Sequence, residues 1–160
     1  MKFFQGRYEE SYTVIIGCGR LGACLAESLS ADGQSVLVMD EEEDSFRKLS
    51  SGFDGFTEVG DGTDFDDLQE AHIEKAQTVL IVTDHDNANI MIAQIVKVHF
   101  QVPRVIARLY NPARKKLCEE FGIETICPSE LSAQQIRNLL TQPGSEGTSA
   151  SGESRPEVSQ

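Results

Sequence analysis

Gly17-Cys18-Gly19-Arg20-Leu21-Gly22 decides how the rest of this chain is read. The run spells G-x-G-x-x-G, and its flanks matter as much as its glycines. Tyr12-Thr13-Val14-Ile15-Ile16 precedes it, a short apolar and β-branched run that predicts a buried strand. After it, apolar or small residues at 21, 25, 26 and 29 suit a helix from Arg20 to Ala31. Asp32-Gly33 closes that helix, because glycine accepts the left-handed cap. A second strand is predicted over Ser35 to Met39, and Asp40 follows it, eighteen residues past Gly22. Strand, glycine turn, helix and an acid at the end of the next strand compose the dinucleotide-binding fingerprint of a Rossmann fold. The six residues alone would say little; their context gives them weight.

Working outward, the same rhythm repeats. A short helix is expected over Asp44 to Ser50, a third strand over Gly55 to Val59, and a helix over Phe65 to Ala71. Thr78 to Val82 is a fourth strand, followed by a long helix from Asp86 to Phe100. Arg104 to Leu109 is a fifth strand, and Asn111-Pro112 opens a helix with proline in its first turn. Ile123 to Cys127 is a sixth strand, and Pro128-Ser129 opens a last helix to about Leu140. Six βα units predict an α/β, doubly wound, six-stranded parallel sheet in a single domain, with helices on both faces. Apolar strands fit a sheet that is covered on both sides. Residues 1–11 read as a flexible leader, 12–141 as the folded domain, and 142–160, rich in Gly, Ser, Glu and Pro, as a disordered tail.

Composition narrows the function. The 160 residues suffice for one full core, and no run approaches the ~20 apolar residues of a membrane span. The polar start lacks a signal peptide's apolar region, so a soluble cytoplasmic protein is expected. A formal net charge of −12 argues against a nucleic-acid partner, which would require a concentrated positive surface. Cys18, Cys24, Cys118 and Cys127 have no zinc spacing and read as reduced and mostly packed. No Ser-His-acid arrangement or metal-ligand cluster stands out, and His72, His85 and His99 are isolated.

The candidate site follows from the fingerprint. Gly17 permits the tight turn, Gly19 admits a phosphate close to the backbone, and Gly22 lets the helix pack on the sheet. The helix N-terminus, including Cys18, Arg20 and Leu21, offers N–H groups and partial positive charge to phosphates. Arg20 can also fork onto a phosphate, or be an ordinary surface residue. Asp40, with Glu41 beside it, can accept hydrogen bonds from both ribose hydroxyls and would repel a 2′-phosphate, so NADP is disfavoured. The plainer reading of Asp40 is a strand-end acid. Gly60, Asp61 and Gly62 end the third strand at the edge of the same crevice, where Asp61 could meet adenine or ribose, or form an Asx turn. Thr83 and Asp84 end the fourth strand and form the far wall, or a helix N-cap cluster. The long helix is apolar nearly all round, which predicts burial against the sheet on one face and against another subunit, or the adjacent helix, on the other.

Several segments together resemble the N-terminal nucleotide-binding domain of the TrkA/KtrA proteins, also called the RCK or KTN domain. They are Gly17 to Gly22, Val36 to Asp40, Gly60-Asp61-Gly62-Thr63-Asp64, Ala76 to Asp86, Pro103 to Arg108 and Phe121-Gly122-Ile123. The resemblance implies a cytoplasmic regulatory subunit of a potassium channel or transporter, peripheral on the inner face of the membrane through its integral membrane partner. It implies a homodimer or larger ring whose shape is biased by AMP, ADP, ATP or NAD(H). By position it gives the phosphates to Gly17, Gly19, Arg20 and Gly22, the ribose to Asp40, the adenine edge to Asp61 and Gly62, and the far wall to Thr83 and Asp84. Arg108 faces the phosphates or a neighbouring subunit on that reading. Members often carry a second regulatory domain, which a separate chain could supply here. They also often place an acid after the proline corresponding to Pro128; here Ser129 intervenes before Glu130, so no metal is expected.

Two other functions fit the same fingerprint. One is an oxidoreductase using NAD, which would need a substrate wall and a catalytic group beside the nicotinamide. The other is a nucleotide-binding regulator of a different cation transporter.

Overall fold

Strand residues alternate between two apolar clusters, which is how a parallel sheet buries both faces. Val14 and Ile16 belong to one cluster, while Ile15 between them belongs to the other. The protein is described by a computed structural model, in which residues 12–141 are placed. The expected leader and tail lie outside the described residues.

The strands are β1 (Tyr12–Ile16), β2 (Ser35–Asp40), β3 (Phe56–Val59), β4 (Thr78–Ile81), β5 (Arg104–Arg108) and β6 (Glu124–Ile126). They form one six-stranded sheet in the order β3-β2-β1-β4-β5-β6, parallel throughout. The order reverses between β1 and β4, so the crevice of an open α/β sheet must lie beyond the carboxyl ends of those two strands. Pairing sets the level of its walls. Ile16 stands opposite Met39 on one side and Ile81 on the other, and Ile81 stands opposite Ala107. Gly17, Asp40, Val82 and Arg108 therefore emerge side by side at the rim.

The helices are α1 (Arg20–Ala31), α2 (Phe65–Glu70), α3 (Asp86–Gln94), α4 (Lys115–Glu120) and α5 (Pro128–Thr141). Ala23 and Ala26 of α1 pack into the cluster built on Ile15, Val36, Val38 and Leu80. Leu68 of α2, Ile90, Ile92 and Ala93 of α3, and Cys118 of α4 pack into the cluster on the opposite face. Two connections expected as α-helix are tighter: Glu43–Lys48 is 3₁₀, and so is Pro112–Arg114, where Asn111 caps the turn.

The long helix expected from Asp86 to Phe100 is divided. Its α-helical part ends at Gln94, and Ile95–His99 widens into a π turn. Phe100 N–H reaches Ile95 O at 3.3 Å, the Lys97 ammonium donates to Pro103 O at 2.7 Å, and Gln101 adopts φ 54°. These contacts turn the chain into β5, and a local apolar pattern could not announce them. The helix also has a wet side: Met91 and Val98 are exposed while Ile92 and Val96 are buried. Helix α5 has no buried residue; Leu131, Ile136, Leu139 and Leu140 are all exposed.

Candidate functional site

The glycine turn is built by three different physical demands. Gly17 has φ +103°, a conformation L side chains rarely adopt, and a Cβ there would stand 2.9 Å from Thr83 N. Gly22 has its back against the turn itself: a Cβ would lie 1.9 Å from Gly17 O. Gly19 is unlike both. Its backbone is ordinary extended chain (φ −75°, ψ −170°), and a Cβ would meet nothing within 4 Å. Packing therefore explains Gly17 and Gly22, and leaves Gly19 with free space on its open side. Gly19 is the N-cap of α1, no side chain caps that helix, and its first turn holds no acid. Such an end presents orphan N–H groups and partial positive charge.

Asp40 buttresses the turn from the next strand. Its Oδ2 accepts Cys18 N–H at 2.6 Å and its Oδ1 accepts Glu42 N–H at 3.0 Å. Each carboxylate oxygen keeps a second lone pair for another donor. Cys18 thus gives its N–H to Asp40, and its thiol lies 3.5 Å from Ser45 O. Burial pushes that thiol's pKa up, and the Asp40 charge adds to the effect. The cysteines are all free; Cys18 and Cys118 are buried, Cys127 is half-buried and Cys24 is exposed on α1.

Asp61 forms the Asx turn: Thr63 N–H and Oγ1–H both donate to its Oδ1, at 2.8 and 2.7 Å. Its own N–H donates to Asp67 Oδ2 at 2.8 Å, so α2 holds the Gly60–Thr63 loop in place.

The far wall is a hydrogen-bonded network. Asn89, wholly buried in α3, donates from Nδ2 to Thr83 O and to Arg108 O, both at 2.9 Å. Its Oδ1 accepts the Thr83 hydroxyl. Arg108 is 8% exposed, and its Nη2 donates to Thr83 O at 2.5 Å and to Asp84 Oδ1 at 2.6 Å. The Tyr110 ring lies 4.8 Å from the guanidinium carbon. The hydrogen bond from Arg108 holds the Asp84 carboxyl below the usual aspartate range. The expected cap cluster at α3 takes another form: His85 is the N-cap without a side-chain bond, and Asp86 accepts from Tyr110 N–H and Asn111 N–H.

These elements enclose a cleft of about 580 Å³, within the range of small-ligand sites. Of the residues expected from sequence, Gly17, Gly19, Arg20, Leu21, Asp40, Glu41, Gly60, Asp61, Gly62, Thr83, Asp84 and Arg108 line it. Cys18 and Gly22 stand behind its wall. Among the described residues, no three His, Cys, Asp or Glu side chains converge as metal ligands.

The family model of the TrkA-N domain matches residues 13–128. The chain belongs to the TrkA-N domain family. It is 39% identical over 135 residues to the Trk system potassium uptake protein TrkA of Streptomyces coelicolor, covering 84% of this chain and 60% of that protein. A TrkA homologue of Methanothermobacter thermautotrophicus is 33% identical over 133 residues, covering 82% of this chain and 61% of that one. The chain thus spans about three fifths of these curated relatives. Among solved structures, the TrkA-N domain of inner membrane protein ybaL from Escherichia coli superposes with TM-score 0.72 at 19% identity, over 81% of this chain and 96% of that one. GsuK bound to ADP gives TM-score 0.71 at 23% identity, over 84% of this chain and 35% of that one; GsuK is also solved bound to NAD. The Kef C-terminal domain of Shewanella denitrificans in its AMP-bound form gives TM-score 0.69 at 21% identity, over 84% of each chain. At these identities the solved structures speak for the fold.

The TrkA-N cleft also holds residues that sequence reasoning passed over. Ser45 and Lys48 reach it from the 3₁₀ turn, and Ala88, Ile92 and Tyr110 also line it. Asn89, which fastens the far wall together, looked like any polar residue of a helix. Its only sequence signal was a polar side chain on the face that also carries the buried Ile92 and Ala93. No helix among the described residues is long and apolar enough to cross a membrane.

Proposed function

We propose that this chain is the nucleotide-sensing part of a potassium-uptake system, binding AMP, ADP, ATP or NAD(H) in the cleft between β1 and β4. Gly19 carries the reading. Its Cβ position is empty and its backbone unstrained, so neither packing nor strain requires glycine there, and the bare backbone leaves room for a phosphate. Phosphates sit on the uncapped end of α1 with Arg20 beside them. Asp40 takes the ribose diol with its remaining lone pairs, Glu41 stands near it, and the pair of charges opposes a 2′-phosphate, which excludes NADP. Asp61 and Gly62 border the adenine side, and Thr83, Asp84 and Arg108 the far side. The Trk system relatives supply the potassium context; the AMP, ADP and NAD seen in structures of the same fold supply the ligand class.

The mechanism is population shift. The ligand favours whichever assembly it binds better, and that assembly acts on an integral membrane transporter subunit. The assembly is a homodimer or a larger ring, joined through the exposed apolar residues of α3 and α5, with the second regulatory domain on this polypeptide's own continuation or on a separate chain. The role is regulatory, cytoplasmic and peripheral, without catalysis. Calorimetric titration of the purified protein with AMP, ADP, ATP, NAD and NADP tests the ligand assignment. Binding of the first four classes with NADP at least about tenfold weaker, ~1.4 kcal/mol, supports it; NADP binding as tightly as NAD refutes the role of Asp40. Co-purification with a membrane potassium transporter tests the partner, and capture of an unrelated cation antiporter instead would redirect it.

A further inference from the structure

Tyr110 is the only Phe, Tyr or Trp among the described residues that line the cleft. It stands two residues past the end of β5, and it is 49% exposed. Its main chain is clamped from two sides. Its N–H donates to Asp86 Oδ1 at 2.7 Å, at the start of α3. Its carbonyl oxygen lies 3.6 Å from Cys127 Sγ, at the foot of α5. The ring is fixed as well. One face packs on Arg108, whose guanidinium carbon is 4.8 Å from the ring centre, and the hydroxyl lies 3.4 Å from Asp84 Oδ1. That guanidinium is buried and held in turn by Thr83 O and Asp84. With one face backed by a fixed cation and half of the residue in water, the other face is the open one. Aromatic rings stack offset on planar groups, and tyrosine brings that area at low cost in conformational entropy.

The strand order puts this ring at one end of the cleft. Asp40 ends β2 and Tyr110 follows β5, with β1 and β4 between them. Each of the three spacings from β2 to β5 is about 4.8 Å. A mononucleotide with its ribose on Asp40 and its phosphates on α1, which follows β1, leaves the end over β5 unused. A dinucleotide carries a second ribose and a second ring past the phosphates, toward β5.

We propose that Tyr110 is a specificity-determining residue whose free face stacks on the second ring of a dinucleotide, giving NAD(H) affinity that a nucleotide without that ring cannot gain. The inference rests on the nucleotide reading given above. The planar nicotinamide lies on the open face of Tyr110, and Arg108 supports the ring from behind without touching the ligand.

The test compares NAD with ADP-ribose, which has both phosphates and both riboses but no nicotinamide. Calorimetric titration of the purified full chain should show NAD binding about tenfold or more tighter, the gain from one base stacked on an aromatic side chain. Tyr110→Leu should bring the ratio close to one by weakening NAD more than ADP-ribose. Tyr110→Phe keeps the ring and should keep the ratio. A ratio cancels general damage to the fold, and if the Leu variant does not fold, Tyr110→Gln replaces it with the same expectation. A parental ratio near one overturns the inference. So does a high ratio that loss of the ring leaves unmoved, which would make Tyr110 a cover for Arg108 only. Either result leaves the nucleotide site standing, whereas failure of the parent protein to bind any nucleotide overturns both.

Discussion

Alanine at Gly19 and at Gly22 should separate binding from folding within one turn. At Gly22 the new Cβ would lie 1.9 Å from Gly17 O. That neighbour is backbone in a turn already pinned by Gly17 N–H to Met39 O at 2.8 Å, so it cannot swing aside. Overpacking costs about 1–3 kcal/mol where side chains can yield, and here none can. Alanine regains ~1 kcal/mol of helix propensity, leaving a net loss of about 2 kcal/mol or more. With a urea slope of about 1–3 kcal/mol/M, the midpoint should fall by roughly 1 M. At Gly19 the Cβ meets nothing within 4 Å, and exchanging Gly for Ala at an N-cap costs about 1 kcal/mol at most. The methyl group would instead stand in the space a phosphate needs. ADP and NAD affinity should fall at least tenfold, ~1.4 kcal/mol, with the urea midpoint falling by no more than about 0.5 M. Urea melts by circular dichroism and calorimetric titrations read both quantities. A Gly19→Ala protein that binds as tightly as its parent would refute the phosphate position. A Gly22→Ala protein of parental stability would refute the packing argument.

Three further outcomes are expected. Asp40→Asn keeps an acceptor for Cys18 N–H but loses the charge that opposes a 2′-phosphate, so the NAD-to-NADP affinity ratio measured by calorimetry should fall toward one. Asp84 has its pKa lowered by the bond from Arg108, so its contribution to stability is present above the ordinary aspartate range and is lost as pH falls through the lowered value. For so exposed a carboxylate the contribution is at most ~1 kcal/mol, and urea midpoints between pH 5 and 2 should fall more steeply for the parent than for Asp84→Asn. Met91 and Val98 are exposed apolar residues one heptad apart on α3 and its π turn. The double change Met91→Glu with Val98→Glu should shift sedimentation toward monomer without lowering the melting temperature, and an unchanged oligomer would remove that face from the assembly.

Most of the fold was legible because its strands are buried on both sides. Val14-Ile15-Ile16 and Val36-Leu37-Val38-Met39 are continuous apolar runs that fit a parallel sheet, and the turns between them carry glycine or proline. The glycine turn and Asp40 were legible for a related reason: each is forced by local geometry that only a few residue types satisfy. The far wall was less so. Asn89 and Tyr110 acquire their roles only when α3 packs on β5, long-range contacts with no local signature. Lys48 enters the cleft through a 3₁₀ turn whose sequence reads as a plain charged helix. The division of the long helix after Gln94 also depends on tertiary contacts, chiefly Lys97 with Pro103 O. Helix α5 shows the opposite case. Its apolar residues were visible in sequence, but among the described residues nothing buries them.

The central claim is that the cleft is a socket for an adenine nucleotide with a free ribose diol. Mass spectrometry of the small molecule released when the purified protein is denatured tests it most directly. AMP, ADP, ATP or NAD(H) should be recovered in proportion to protein and lost from Gly19→Ala. Recovery of NADP(H) would contradict it.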